Sequence, residues 1–268
     1  VGMSGIKRKI FKSLERRTCN RSTHIRSVSP LNMQFGISEG LYSQDRVKVI
    51  GNGGTVGVNL ALFDISRKDE FRNAVRQKHF IGEDSYVFGF VGRMGRDKGS
   101  EELLLAFRKM REQRSDVFLC LVGPNEMNNE IPRDLIEWAK NDSNVVMTGN
   151  LSKDELPSYY AGFDCYVHPT YREGFGMVIQ EAGAMGNAII TTRVPGASEV
   201  MVENESCILV EPKNVSDLYD AMTLLSENKQ RTAELGNSAY KRTAELYEMG
   251  IMVSNICDDI QTVMENGI

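Results

Sequence analysis

The sequence predicts an α/β domain built on a doubly wound, Rossmann-like parallel sheet. From residue 86 onward, short runs rich in β-branched and aromatic residues alternate with longer stretches of helical periodicity. The short runs are apolar along their whole length, which is typical of parallel strands that helices cover on both faces. Glycine follows each of the first five runs, at the places where strand-to-helix turns would lie.

The elements of this domain follow from the same pattern. The predicted strands are 86–91, 117–122, 144–148, 164–168, 188–191 and 207–210. The predicted helices lie near 100–114, 130–141, 152–162, 174–186, 196–202 and 214–227. The first of these helices places Leu103, Phe107 and Met110 on one face. Ser152 and Glu155 have the spacing of a capping box, which predicts the start of the third helix.

A glycine-rich break separates this domain from the segment before it. The elements predicted in that segment are a basic helix over 5–21, a short strand over 24–29, a helix after Pro30 and a strand over 47–50. The run Gly51-Asn52-Gly53-Gly54 then interrupts all periodicity. We expect a hinge there, which divides the chain into residues 1–50 and 51–268.

Composition excludes several classes of protein. Apolar residues make up 41% of the chain, enough for a real core, and the net charge of −4 gives no indication of nucleic-acid binding. The five cysteines are widely spaced and form no C-x-x-C pair, which argues against a disulfide framework or structural zinc and favours a reducing, cytoplasmic compartment. No apolar run reaches the 18 residues of a membrane span, and no signal peptide is visible. Because the chain opens Val1-Gly2-Met3, we expect a fragment of a longer protein.

Charged residues follow the first predicted strand of the sheet. Arg93, Arg96 and Lys98 lie on a glycine-rich loop, and both residue types suit phosphate oxygens. The loop matches neither the G-x-x-x-x-G-K-[ST] pattern nor the G-x-G-x-x-G pattern. Since ligands of open parallel sheets bind outside the carboxyl ends of the strands, we expect a ligand crevice at this edge. The alternative is ordinary solvated charge.

The loop after the fourth strand carries the stronger signal. Gly174-Phe175-Gly176 is predicted to open a helix whose N-terminal N–H groups and positive dipole end suit a diphosphate. Glu173 stands just before this helix, and Glu181 is expected about two turns into it, among small and apolar residues. A carboxylate in such surroundings needs a partner, and ligand hydroxyls would serve. The alternative for Glu181 is a partly exposed helix glutamate.

The stretch from Glu173 to Glu181 matches the E-x7-E signature of retaining GT-B glycosyltransferases, and it most resembles those of glycosyltransferase family 4. The resemblance covers roughly residues 47–265. The other motifs that carry it are Asn52-Gly53-Gly54 with Gly57-Val58-Asn59, Gly92-Arg93 with Lys98-Gly99, Leu121-Val122-Gly123, Pro195-Gly196-Ala197 with Glu199, and Leu209-Val210 with Pro212. It implies that residues 51–268 form the donor-binding domain and that residues 1–50 are a remnant of the acceptor-binding domain.

The resemblance also implies roles for individual residues. Glu173 would hold hydroxyls of the transferring sugar, and Arg93 and Lys98 would bind the diphosphate and stabilise the charge of the leaving group. Glu181 would bind the ribose of the nucleotide. The remaining residues expected at the donor are Gly174, Phe175, Gly176 and Met177, which offer backbone donors to phosphate and sugar, and Gly149, Asn150 and Leu151, which meet the base.

The implied co-substrate is a nucleotide-diphosphate sugar, with UDP as the more frequent nucleotide of the family, and the implied acceptor is a carbohydrate or a lipid-linked sugar. No cofactor is expected. No metal site is expected either, because the sequence contains no D-x-D motif.

The sequence departs from the family pattern in two respects. Cys207 stands where the family commonly has glycine, and the glycine loop and histidine of the family's N-terminal domain have no counterpart. His24 is predicted on a strand in the wrong region, His79 at the end of a surface helix, and His168 at the end of the fourth strand. We expect His168 to be structural or to line the crevice.

The basic helix over 5–21 allows two interpretations. A basic amphipathic helix can lie on an anionic membrane, which would place the protein at the inner membrane surface. The alternative is a solvated face, or packing that is cut off with the rest of its domain. The helical region over 228–265 is expected to cross back toward the N-terminal segment, as it does in family members.

Three functions remain open at this point. The first is a retaining glycosyltransferase of polysaccharide or glycoconjugate assembly. The second is a module that binds the nucleotide sugar without independent activity. The third is another enzyme on the same fold, such as a nucleotide-sugar epimerase or a phosphorylase. A phosphorylase would need a lysine that holds pyridoxal phosphate in the crevice, and Lys98 is the only candidate.

Overall fold

The computed structural model describes residues 5–125 and 130–265 and contains two parallel sheets. The strands are β1 (Ile25–Ser27), β2 (Val47–Val49), β3 (Tyr86–Val91), β4 (Val117–Val122), β5 (Val145–Gly149), β6 (Cys165–His168), β7 (Ala188–Thr192) and β8 (Ile208–Val210). Strands β1 and β2 form a small sheet of their own, and the other six form the main sheet in the order β5-β4-β3-β6-β7-β8. All six pair in parallel.

Helices cover both faces of the main sheet. They are α1 (Gly5–Arg21), α2 (Pro30–Ser38), α3 (Lys68–Lys78), α4 (Ser100–Arg111), α5 (Arg133–Asn141), α6 (Leu156–Gly162), α7 (Met177–Ala184), α8 (Val215–Glu227), α9 (Lys229–Leu246) and α10 (Met249–Glu265). One hydrophobic core lies under α4, α5 and α8, and a second lies under α3, α6, α7 and α10. The predicted fold class, a doubly wound parallel α/β sheet, is confirmed.

The direction of winding reverses between β3 and β6. From β3 the chain adds β4 and β5 on one side, and it then returns to add β6, β7 and β8 on the other. At such a switch point the two connecting loops leave the sheet in opposite directions and open a crevice at its carboxyl edge. The loops after β3 and β6 are the two in which the sequence combines charged residues with glycines.

Residues 196–202, predicted as a helix, form a series of turns instead. Gly196 has a left-handed φ of +82°, which an α-helix cannot contain. The carboxylate of Glu199 also accepts a hydrogen bond from the Gly196 amide, at 2.8 Å, so this segment closes on itself. The prediction of a helix here was wrong because the local turn is more favourable than the helical propensity of these seven residues.

Three other predicted helix starts were early, and one of them is that of α5, which begins at Arg133 rather than at residue 130. Helix α7 begins at Met177 rather than at residue 174, because Gly176 has a non-helical ψ of 79° and serves as its N-cap. Helix α6 begins at Leu156 rather than at residue 152. The capping contact from the Ser152 amide to the Glu155 carboxylate does form, at 3.0 Å, but it closes a turn before the helix. His24 precedes β1 rather than lying on it.

The N-terminal segment is tied to the end of the chain. Arg26 on β1 donates to the carboxylate of Asp259 on α10 at 2.7 Å, and Lys48 on β2 forms an ion pair with the same carboxylate. Helix α10 thus reaches back over the N-terminal segment, as expected. The boundary between residues 50 and 51 stays a prediction. Over residues 5–125 and 130–265, no helix combines the length and the apolar character that crossing a membrane requires.

Candidate functional site

The loops after β3 and β6 meet at the carboxyl edge of the main sheet. The backbone amide of Tyr171 donates to the carbonyl of Asp97 at 2.9 Å, and the hydroxyl of Thr170 donates to the same carbonyl at 3.3 Å. Gly99 permits this approach, because its φ is +71° and a Cβ there would lie 2.0 Å from the carbonyl oxygen of Pro169. The two predicted loops are therefore one structural unit.

Glu173 lies at the centre of this unit. Its Oε2 accepts hydrogen bonds from Lys98 Nζ at 3.0 Å and from the ring of His168 at 3.0 Å, and its Oε1 accepts from the Gly174 amide at 3.0 Å. Burial opposes ionisation, but the hydrogen bond from His168 and the charge of Lys98 outweigh it and lower the pKa of Glu173 to about 2. Glu173 is therefore a fixed, ionised acceptor at neutral pH.

His168 reaches Glu173 from inside the protein. Its side chain is 2% exposed, and burial lowers the pKa of the imidazole. The second ring nitrogen, Nδ1, lies 3.2 Å from the hydroxyl of Tyr166, whose ring stacks on the imidazole at 5.9 Å. Of the two readings that the sequence left for His168, the structure shows a buried residue that contacts the site.

Arg93 and Lys98 face different carboxylates within the same pair of loops. Arg93 donates to Asp97 Oδ1 at 2.6 Å, while Lys98 contacts Glu173. Arg172 donates to the other oxygen of Asp97 at 3.3 Å. Three cations thus surround Asp97 and Glu173 at this edge, and a phosphate would meet donors from both loops.

Glu181 is the fifth residue of α7, about one turn into the helix rather than two. The buried hydroxyl of Tyr160 donates to Glu181 Oε2 at 2.8 Å. Burial raises the pKa of Glu181, and the hydrogen bond from Tyr160 offsets only part of that rise. The side chain is therefore held by a neutral partner, and no cation bonded to it is described.

Two backbone amides of the segment 174–177 already have hydrogen-bond acceptors within the protein. The Gly174 amide donates to Glu173, and the Gly176 amide donates to the carbonyl of Gly196 at 3.3 Å. The ring of Phe175 is 6% exposed and packs edge-on against Tyr247 at 5.7 Å, so it faces the core. Any ligand would meet the backbone of Phe175, and it would have to compete for the two glycine amides.

The predicted base-binding segment follows β5. Gly149 is the last residue of that strand, with a φ of +69°, and its carbonyl accepts from the Gly123 amide at 3.0 Å. The side chain of Leu151 packs against the core under α6 and α7. Asn150 between them is exposed. Asn150 is therefore the exposed residue of this segment.

Sequence reasoning missed the connection from the N-terminal segment to the site. Asn32 on α2 donates to the carbonyl of Gly174 at 2.7 Å, and the Leu31 amide donates to Glu199 at 2.7 Å. It also missed Tyr160, whose hydroxyl donates to the carboxylate of Glu181. These contacts join residues far apart in the chain, and no spacing pattern reports them.

A separate cavity of about 330 Å³ opens at the opposite, amino edge of the sheet. Two of its cations are already engaged, since Lys68 donates to the carbonyl of Gly186 at 2.9 Å and Arg72 donates to Asp164 at 2.7 Å. Ligands of parallel sheets bind at the carboxyl edge. We therefore place the candidate site at Glu173 and Lys98. Over residues 5–125 and 130–265, no group of three or more His, Cys, Asp or Glu side chains is arranged to hold a metal ion.

Known proteins resemble this chain along most of its length. A family model described as "Glycosyl transferases group 1" matches residues 71–242. The capsular polysaccharide biosynthesis glycosyltransferase CapM of Staphylococcus aureus is 27% identical over 251 residues, which are 93% of this chain and 64% of CapM. A D-inositol 3-phosphate glycosyltransferase of Pseudarthrobacter chlorophenolicus is 30% identical over 201 residues, which are 71% of this chain and 47% of that protein.

Among solved structures, Anabaena Alr3699/HepE, determined in complex with UDP and glucose, superimposes with a TM-score of 0.77 at 19% identity. The superposition covers 93% of this chain and 67% of that one. This chain spans about half to two thirds of the length of the curated relatives named above.

Proposed function

This chain belongs to the glycosyl transferases group 1 family, and on that basis we propose that it binds the donor of an enzyme that transfers a sugar from a nucleotide diphosphate to a carbohydrate or lipid-linked acceptor. The transfer retains the anomeric configuration, as in the family 4 enzymes that the E-x7-E motif resembles. The contact between Lys98 and Glu173 carries the proposal, because it joins the two conspicuous loops at the switch point of the sheet.

In this proposal Glu173 accepts hydrogen bonds from hydroxyls of the sugar, and Lys98 and Arg93 hold the diphosphate. An ammonium group has three donors, so Lys98 can keep its contact with Glu173 while it donates to a phosphate oxygen. Arg93 would either leave Asp97 to bind the phosphate, or donate to both groups at once through the several N–H donors of its guanidinium. The ionised state of Glu173 supports the acceptor role, because an ionised carboxylate only accepts.

The nucleotide would lie along α7 and the end of β5. Glu181 accepts the ribose hydroxyls, and the backbone at Gly149, Asn150 and Leu151 meets the base. The segment from Gly174 to Met177 offers its backbone to the phosphate and sugar at the positive end of α7. The exposure of Asn150 and the hydrogen bond of Glu181 to the neutral hydroxyl of Tyr160 support this orientation.

The reaction places the largest change of charge on the diphosphate. The bond from the sugar C1 to the diphosphate oxygen breaks while the acceptor oxygen bonds to C1, and the acceptor proton passes to the departing diphosphate. Fixed cations and backbone donors at the leaving group lower the barrier, each by roughly 3 kcal/mol when well placed. Lys98 and Arg93 supply that charge, so the proposal needs neither a metal nor a cofactor.

UDP is the nucleotide that we propose for the donor. The similar fold of Alr3699/HepE was solved with UDP and glucose, which supports a uridine nucleotide on this architecture. The name of CapM supports a role in the assembly of a polysaccharide or glycoconjugate.

A second function is favoured for this chain by itself. Its relatives are longer, since it covers 64% of CapM and 47% of the inositol 3-phosphate enzyme. We propose that residues 51–268 bind the donor, that residues 1–50 are the remnant of an acceptor domain, and that the chain alone binds the nucleotide sugar without transferring it.

Helix α1 supports a peripheral contact with an anionic membrane, at the cytoplasmic face of the inner membrane. Its exposed apolar side chains are Ile6, Ile10, Phe11 and Leu14, and its exposed cations include Lys7 and Lys9. Such a helix binds by apolar burial and by attraction to anionic lipid. Lys7→Glu with Lys9→Glu should abolish co-sedimentation with phosphatidylserine vesicles, while Lys109→Glu with Lys140→Glu should not. Equal sedimentation with phosphatidylcholine vesicles would contradict the electrostatic part of this proposal.

The donor site is tested by calorimetric titration of the chain with UDP, GDP and ADP in the absence of metal. One nucleotide should bind selectively, and Lys98→Ala and Glu181→Ala should each weaken it roughly tenfold or more, the value of a charge-assisted hydrogen bond. Lys109→Ala and Glu137→Ala, on the surface of α4 and α5, are the matched controls and should bind as the unaltered chain does. Failure of all three nucleotides to bind would contradict donor binding by this chain.

A further inference from the structure

A chain of buried polar groups runs beneath Glu173. The hydroxyl of Tyr166 lies 3.2 Å from His168 Nδ1 and 3.4 Å from the carbonyl oxygen of Val91, which can only accept. His168 Nε2 then lies 3.0 Å from Glu173 Oε2. Tyr166 and His168 are 0% and 2% exposed, so bulk solvent does not reach either side chain. Each hydrogen in this chain of polar groups therefore has to go to one of these few atoms.

The position of each hydrogen follows from Glu173. Its carboxylate is ionised, because Lys98 and the Gly174 amide both donate to it, so the imidazole must donate from Nε2. Burial keeps the imidazole neutral, and a neutral imidazole with its hydrogen on Nε2 has an acceptor at Nδ1. The hydroxyl of Tyr166 has one hydrogen and two acceptors within reach, Nδ1 at 3.2 Å and the Val91 carbonyl at 3.4 Å. Donation to the nearer Nδ1 stabilises the tautomer that Glu173 requires.

This arrangement determines which part of Glu173 faces a ligand. Oε2 already accepts from Lys98 and His168, and among the described residues Oε1 accepts only from the Gly174 amide. A carboxylate offers about four acceptor positions, so one position on Oε1 remains for a further donor. A buried imidazole is rigid, so it fixes the rotation of the carboxylate as well as its charge.

We propose that His168 is a positioning residue for Glu173, and that Tyr166 holds it as the Nε2–H tautomer so that Glu173 Oε1 is aimed at a hydroxyl of the donor sugar. This inference rests on the proposed function, because Glu173 must be the group that accepts that hydroxyl. Neither residue touches the ligand, and both act through Glu173. Loss of the arrangement therefore weakens recognition of the sugar and leaves the nucleotide, held by Glu181 and the backbone, unaffected.

The ratio of the affinities for UDP-glucose and UDP distinguishes a positioning role of His168 from a merely structural one. His168→Ala should lower the affinity for UDP-glucose roughly tenfold, the worth of a hydrogen bond to a charged group, and should leave the affinity for UDP unchanged. His168→Gln should recover most of the loss, because its amide can donate to Oε2. A merely structural role would weaken both ligands together in His168→Ala, and that result would overturn the proposal.

Tyr166→Phe tests the tautomer. It should weaken UDP-glucose binding when residue 168 is histidine, and it should have little further effect together with His168→Gln, whose amide needs no tautomer. Tyr159→Phe is the control, because it removes the hydroxyl of another buried tyrosine, one that bonds to His79 instead. Equal losses from Tyr166→Phe in both backgrounds would overturn the role of Tyr166.

Nitrogen chemical shifts of the His168 ring give a second readout that needs no ligand and no active enzyme. They should show the hydrogen on Nε2 in the unaltered chain and a change of tautomer population in Tyr166→Phe. A hydrogen on Nδ1 in the unaltered chain would overturn the proposal outright. Failure of the unaltered chain to bind UDP or UDP-glucose would overturn the proposed function instead, and the ring shifts would still decide the tautomer.

Discussion

The hydroxyl of Tyr160 donates to the carboxylate of Glu181 over 2.8 Å, and its ring lies 5.6 Å from that of Tyr166. Both glutamates of the E-x7-E pair are therefore supported from inside by adjacent, fully buried tyrosines. Tyr160 contacts Glu181 directly, whereas Tyr166 reaches Glu173 through His168. The two carboxylates therefore have different neighbours: Glu173 lies beside the ammonium group of Lys98, and Glu181 lies beside the neutral phenol of Tyr160.

The pH dependence of nucleotide binding should follow Glu181. Its pKa is raised by burial above the ordinary value of 4.5, so it takes up a proton before Glu173 does as the pH falls. The ionised form is the better acceptor for ribose hydroxyls, so the affinity for UDP should decline as the pH falls, beginning above pH 4.5. Calorimetry across this range should show the decline in the unaltered chain and none in Glu181→Gln. A flat profile in the unaltered chain would contradict the role of Glu181.

Substitution by alanine should have different effects at two glycines near the site. It should lower stability at Gly196 and weaken ligand binding at Gly174. Gly196 has a φ of +82°, and a Cβ there would lie 2.3 Å from the carbonyl oxygen of Gly174. Gly196→Ala should lower the free energy of unfolding by about 2 kcal/mol through backbone strain alone, and more through the clash. Gly174 has open space around its missing Cβ. Gly174→Ala should leave the denaturation midpoint unchanged and weaken UDP-glucose binding, since the methyl group enters the candidate site.

Asp164 should be a large contributor to stability. Its carboxylate accepts from Arg72 and Arg76 at 2.7 Å each and from the Val87 amide at 2.7 Å, which ties α3 to the amino ends of β3 and β6. Asp164→Asn leaves the buried guanidinium of Arg76 without a counter-charge, so unfolding in denaturant should require about 3 kcal/mol less.

The matched control for Asp164→Asn is Asp116→Asn. Asp116 pairs with Arg114, but its side chain is 54% exposed. Exposed ion pairs contribute less than about 1 kcal/mol, so this variant should unfold nearly as the unaltered chain does. Equal losses from the two variants would mean that the Asp164 network is not a buried anchor.

Asp259 should hold α10 against the N-terminal segment. Its side chain is 9% exposed and pairs with Arg26 and Lys48 from β1 and β2. Asp259→Ala removes the only described carboxylate that these two cations share, so amides of α10 should exchange faster with solvent. Asp258→Ala, one residue earlier on the same helix, is the control. Unchanged hydrogen exchange in α10 would show that apolar packing alone docks the helix.

The sequence determined the main sheet and most of its helices because the information is local. A strand covered on both faces is apolar throughout, and a helix covered on one face repeats every three to four residues, so each can be recognised within ten residues. The strand prediction 86–91 matches β3, and 117–122 matches β4. The motif glutamates and the basic loop were recognised for the same reason. The predicted roles of these residues remain predictions.

The tertiary structure decided everything that depends on distant contacts. The turns at 196–202 and the start of α7 at Met177 are linked by the hydrogen bond from the Gly176 amide to the Gly196 carbonyl. The pairing of Lys98 with Glu173 needs the strand order that places β3 beside β6. The contact between Tyr166 and His168 forms because both side chains are buried on the same strand. A hydrogen bond in the interior is set by which groups folding brings together away from water, and no local pattern encodes that.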